Sequence, residues 1–111
     1  MQILDSFDWT LSGNNDLGAI YGQRNASTNA ALPAGLWQSY DITFTAARWD
    51  GSEKLSDARV TVVLNGITIH NNVAIPSATV FGGPEGTDNG PIVLQDHGNL
   101  VRFRNIWIDP A

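Results

Sequence analysis

Hydrophobic and polar residues alternate along much of this chain, and a period of two predicts strands. In Trp37-Gln-Ser-Tyr-Asp-Ile-Thr-Phe44, Tyr40, Ile42 and Phe44 fall on one face and Ser39, Asp41 and Thr43 on the other. That is the pattern of a strand with one side against a core and the other in water. Two apolar runs, 58–64 and 67–71, flank Asn65-Gly66, the dipeptide best suited to the positive φ angles of a two-residue hairpin turn. A regular hairpin there sets Val62 opposite Ile69 and Thr61 opposite His70, which leaves His70 on the solvated face. A further strand pair, 91–95 and 100–108, is predicted around the turn Asp96-His97-Gly98-Asn99. No stretch carries sustained helical spacing, and Gly and Pro punctuate the connections. The connections at 12–18, 24–36, 47–57 and 77–90 are long for so short a chain, and loops of that length are commonly functional. About six strands joined in this way predict an all-β domain, an antiparallel β-sandwich or jelly roll spanning 1–111, with any ligand on an open face or at a loop end.

Composition narrows the partners. The 111 residues make one small domain with no room for a deep interior cavity. A net charge of −5 with six basic residues argues against nucleic acid, which needs a concentrated basic patch to neutralise phosphates. No apolar run approaches the length of a membrane span, and Met1-Gln-Ile-Leu-Asp5 reads as neither a signal nor a transit peptide. A soluble domain is expected, with no membrane partner. The absence of cysteine removes disulfides, thiol catalysis and cysteine-ligated metals. Two widely separated histidines do not make a zinc or copper site unless two chains share one, and Glu85-Gly-Thr-Asp-Asn89 lacks the alternating carboxylates of a dedicated calcium loop. No cofactor is indicated.

Chemistry-bearing side chains concentrate near the end of the chain, where Gln95, Asp96, His97, Arg102 and Arg104 fall within ten residues. His97 has the only kind of side chain whose ordinary pKa lies near neutrality. The same Asp-His-Gly-Asn run also suits a hairpin turn whose Asp and Asn side chains bond backbone amides. Arg102 and Arg104 share a strand face by alternation, available to a ligand or to acidic neighbours. Trp9 and Trp49 lie in polar loops and are candidates for stacking on sugar rings, whose C–H bonds suit an aromatic face. Trp37 and Trp107 adjoin apolar strand residues and are expected in the core, and Tyr21 suits either role.

Four motifs in order, Asp16-Leu-Gly-Ala-Ile-Tyr-Gly22, Trp37-Gln-Ser-Tyr-Asp41, Val60-Thr-Val-Val-Leu-Asn-Gly66 and Gly90-Pro-Ile-Val-Leu-Gln-Asp-His-Gly-Asn99 with Val101-Arg-Phe-Arg-Asn-Ile-Trp107, resemble the 3-keto-disaccharide hydrolase family. The resemblance implies a concanavalin-like sandwich of two curved sheets in a bacterial, periplasmic or extracellular protein. It also implies that this chain corresponds to the C-terminal half of a family domain nearly twice as long. Unpaired sheet edges then predict a homodimer. The implied activity is cleavage of glycosides oxidised to a ketone at C3. Such chemistry needs a base near C2, a donor for the enolate oxygen and an acid for the leaving group. On this reading His97 is the base, Asp5 the acid or orienting group, and Gln95, Arg102, Arg104, Tyr21, Trp9 and Trp49 bind the sugar. The alternatives are a non-catalytic carbohydrate-binding module and a structural fragment completed by self-association.

Overall fold

The computed structural model describes residues 1–110 and contains strands but, among the described residues, no helix. β1 (Tyr40–Thr45), β4 (Ala58–Leu64) and β5 (Ile67–Ile75) form an antiparallel sheet in the order β1-β4-β5. β2 (Arg48–Asp50) and β3 (Glu53–Ser56) form a separate two-stranded ribbon. It turns at Gly51, inside a stretch whose composition suggests only a connection. The fold is all-β and antiparallel, as the alternation predicts, and sandwich-like in its layering.

The central strand explains the core. Ala58, Val60, Val62 and Leu64 alternate onto one face of β4 and are all buried. Across from them lie Leu17, Ile20, Ala26 and Ala30 from the irregular N-terminal segment, which serves as the second layer. Each fully buried aliphatic side chain contributes about 1.5–3 kcal/mol, so this small cluster supplies much of the apolar stabilisation. The segment is tied down by backbone bonds from Gln2 N to Ala19 O and from Gly18 N to Gln2 O, both 2.9 Å. The buried Ser6 hydroxyl accepts a bond from Leu17 N at 3.1 Å.

The Asn65-Gly66 turn forms as expected, with φ of 51° and 81°, and Asn65 adds side-chain bonds to Ala30 O and to Ser39 N. Beyond it the register departs from the regular hairpin. Val63 pairs with Thr68 but Val62 pairs with His70, so Ile69 is an extra residue. A second extra residue follows before Val60 meets Val73. These are β-bulges. The first puts Ile69 and His70 consecutively into the core, and His70 is 2% exposed, not solvated. The second is closed by Asn72 at φ 48°, whose N–H bonds Thr61 Oγ1 at 2.9 Å and whose side-chain oxygen accepts from Arg59 Nε at 2.6 Å.

Two expected core surfaces lie open. Ile42 and Phe44 pair with Val62 and Val60 on the apolar face of the sheet, yet β1 is one of its two edge strands and they remain 48% and 60% exposed. Residues 91–95 and 100–108 form no strand ladder, and no backbone–backbone hydrogen bond involves them among the described residues. Their apolar side chains, from Ile92 to Ile108, face solvent. Strand propensity is present there without a neighbouring strand to pair with. Trp107, expected in the core, is exposed for the same reason, and Trp37, also expected there, lies just before β1 and is exposed as well.

Candidate functional site

The Leu94-Gln95-Asp96-His97 turn is held to the body of the protein by one side chain. Gln95 accepts a bond from Ile3 N at 2.6 Å through Oε1 and donates from Nε2 to Gln2 Oε1 at 2.8 Å. Gln2 is itself buried, and its carbonyl accepts the Tyr40 hydroxyl at 3.2 Å as well as the Gly18 amide. Burial pushes the Tyr40 phenol well above its ordinary range, so it stays neutral and donates. A polar strut thus runs from Gln95 through Gln2 to Gly18, joining segments more than ninety residues apart.

Behind the strut lies His70, whose Nε2 sits 2.7 Å from Gly18 O. A carbonyl can only accept, so Nε2 carries the hydrogen. Nδ1 is buried without a partner. Burial lowers the His70 pKa, opposed by the Gly18 hydrogen bond, and the ring is neutral. The residue braces the site from inside the core.

His97 stands exposed at the tip of its turn. Asp96 Oδ1 accepts the Gly98 amide at 2.8 Å, and Gly98 has φ 82°. This is the Asx arrangement expected of Asp at a turn, and it presents the imidazole to solvent. Asp5 is exposed, with one weak contact from Phe7 N at 3.4 Å. Arg104 stacks its guanidinium 3.8 Å from the Trp37 ring centroid, a cation–π contact in place of an acidic partner. Arg102 is exposed. No hydrogen bond or ion pair among the described residues joins His97 to Asp5, Arg102 or Arg104.

The remaining sugar-binding candidates sit elsewhere. Trp9 is exposed on a turn clamped by Asn29, whose Nδ2 donates to Ser6 O at 2.6 Å and to Trp9 O at 3.0 Å. Trp49 is half-buried on β2, with its indole N–H unpartnered and Lys54 6.0 Å above the ring, so it is not the free loop ring expected. Lys54 is occupied by Asp57 at 2.9 Å and Glu85 at 3.0 Å, which hold its pKa above the ordinary value. Tyr21 tips the tight Ile20–Arg24 turn and faces Phe81 at 6.1 Å between centroids. Gln2 and Phe81 carried no motif that sequence reasoning could use. The one available signal for Gln2 was a polar residue beside two apolar ones in Gln2-Ile-Leu4.

The family described as the 3-keto-alpha-glucoside-1,2-lyase-like domain matches residues 1–109. A solved structure, described as "a putative glycosyl hydrolase from Parabacteroides distasonis ATCC 8503", is similar at 32% identity and a TM-score of 0.66. The likeness covers 79% of this chain and 38% of that one, so the chain spans well under half the length of that protein. No functionally curated protein matches. On the extent of the family match, this chain belongs to the 3-keto-alpha-glucoside-1,2-lyase-like domain family.

Proposed function

We propose that the chain is a carbohydrate-active domain that takes part in cleaving 3-keto-glycosides by base-assisted elimination. The observation that carries this reading is the Gln95–Gln2 strut, which anchors the family-type Leu-Gln-Asp-His turn and leaves His97 free to act. In the proposed step neutral His97 takes the C2 proton of the sugar, acidified by the adjacent ketone. The C2–H electron pair forms the C1–C2 double bond by way of an enolate at O3. The C1–O1 bond breaks, and the leaving oxygen takes a proton from Asp5 in its acid form or from water. Addition of water across the double bond completes net hydrolysis.

Both polar ends of Gln95 are engaged by Ile3 and Gln2, so it is a positioning residue. Arg102, with no side-chain partner among the described residues, is the donor best suited to the developing enolate charge. The test is release of the leaving group from a 3-keto-glucoside by the chain and by its His97→Ala variant. A loss of about 10²–10⁴-fold in rate is expected for a general base. Unchanged turnover in the variant would end the role of His97. A non-catalytic carbohydrate-binding module is the second reading, favoured by the open rings of Trp9, Phe81 and Trp107.

A further inference from the structure

We propose that the cleft between the Gly13–Asn15 turn, the Tyr21–Gly22 turn and the Val80–Phe81 loop is a glycan subsite that seats a hexopyranose ring against Phe81 and Tyr21. The proposal rests on the carbohydrate reading above and adds a place and a mode of contact.

Phe81 is 94% exposed, and its backbone has φ 63°. A bulky residue in the left-handed region is an outlier, and a phenyl ring this exposed, with Tyr21 as its one aromatic neighbour, gains little from packing to offset it. Conformations of this kind concentrate at ligand clamps. The ring is not randomly placed. Gly82 N bonds Thr79 O at 2.8 Å, which closes the turn that lifts Phe81 outward. Gly22 is what lets this loop come close, because a Cβ there would meet Val80 Cγ2 at 3.0 Å, at a φ of 72° that favours glycine. Gly22 N in turn bonds Asn14 O at 2.8 Å, which fixes the third wall.

The result is an open cleft of about 550 Å³, within the size range of small-ligand sites. Its two rings, 6.1 Å apart between centroids and tilted by 43°, both line the cleft and together give it an aromatic wall. A pyranose has one apolar face of axial C–H bonds and a rim of hydroxyls. The first suits the rings, and the second suits the amides of Asn14 and Asn15, which offer both donors and acceptors. No charged side chain lines the cleft, which favours a neutral sugar over a phosphorylated or acidic one.

The test is titration with methyl α-glucoside and with an α-linked glucose disaccharide, followed by saturation-transfer NMR and calorimetry. Phe81→Ala should weaken binding at least tenfold with unchanged urea stability, because the ring packs on nothing else in the core. Phe81→Trp should retain or strengthen binding. Equal binding by wild type and Phe81→Ala, or no binding of either sugar by wild type, would overturn the subsite. His97-dependent turnover with the same KM in Phe81→Ala would remove the subsite and leave the catalytic reading. Phe81-dependent binding without turnover would do the reverse.

Discussion

Gly18 is the point at which the site and the core meet, and its replacement tests the packing directly. Its φ is 78°, and an alanine Cβ built there would lie 2.5 Å from Ile69 Cδ1, with Ala26 Cβ and Leu64 Cδ2 each at 3.7 Å. The left-handed backbone alone costs an L-residue about 1–2 kcal/mol. Ile69 is buried and bulged into the core, so its methyl has little room to retreat, and overpacking of this kind costs about 1–3 kcal/mol. Reduced freedom in the unfolded chain returns about 0.5 kcal/mol. Gly18→Ala should therefore destabilise by about 2–4 kcal/mol. Gly66→Ala is the internal control, since Gly66 has φ 81° but nothing within 4 Å of its would-be Cβ, and it should show the backbone cost alone. With a urea slope of about 1 kcal/mol per molar, the two midpoints should differ by about 1–3 M. Adding Ile69→Val, which deletes the clashing methyl, should recover part of the loss. Equal midpoints for Gly18→Ala and Gly66→Ala would refute the packing argument.

Acid should weaken the fold through His70. Its folded pKa lies below the ordinary value of about 6.5, so below that pH the unfolded chain binds the proton first and stability falls as pH drops, by up to about 1.4 kcal/mol per unit. Urea melts at pH 7.5 and 5.5 should show this fall in wild type and a smaller one in His70→Gln, and identical falls would show that other groups are responsible. The open β1 edge and the face carrying Ile42 and Phe44 should drive self-association, with each partner contributing about 800 Å². Light scattering should give twice the chain mass, reduced by Phe44→Asp, and a strict monomer at tens of micromolar would remove the homodimer.

What the sequence made legible was local. The Asn65-Gly66 turn and the alternation of β4 follow from turn chemistry and period-two patterning, whereas the pairing of β1 with β4 is a long-range choice that alternation does not name. His70 was misplaced because alternation assumes an unbroken register, and each bulge beyond the turn shifts the remaining residues to the other face. Neither bulge carries a glycine or another composition mark, apart from Asn72, whose side chain tolerates left-handed backbone. The β2–β3 ribbon was hidden in a polar stretch, although Asp50-Gly51 is a turn signal of the same kind as Asn65-Gly66. At the site, Gln95 and His97 could be singled out from their motif. Gln2, Phe81 and the Trp37–Arg104 stack could not, because each acquires its role from a partner at least sixty residues away.

The open runs at the end of the chain show why the fold and the site cannot be read by the same rule. An apolar β-branched segment favours an extended backbone by itself, but a strand also needs a second backbone to satisfy its amides and carbonyls. Residues 91–94 have the first and lack the second, and water meets their backbone where a ladder would. Gln95, the next residue, is nonetheless fixed, because its side chain finds two partners, Gln2 and Ile3, in the irregular N-terminal segment. The position of His97 is therefore set by a side-chain amide and an Asx turn instead of by a sheet. Such a tether holds the turn through two neutral hydrogen bonds, each contributing about 1 kcal/mol net, far less than a paired strand would. The imidazole is thereby presented from a turn that side chains, and no sheet ladder, hold in place.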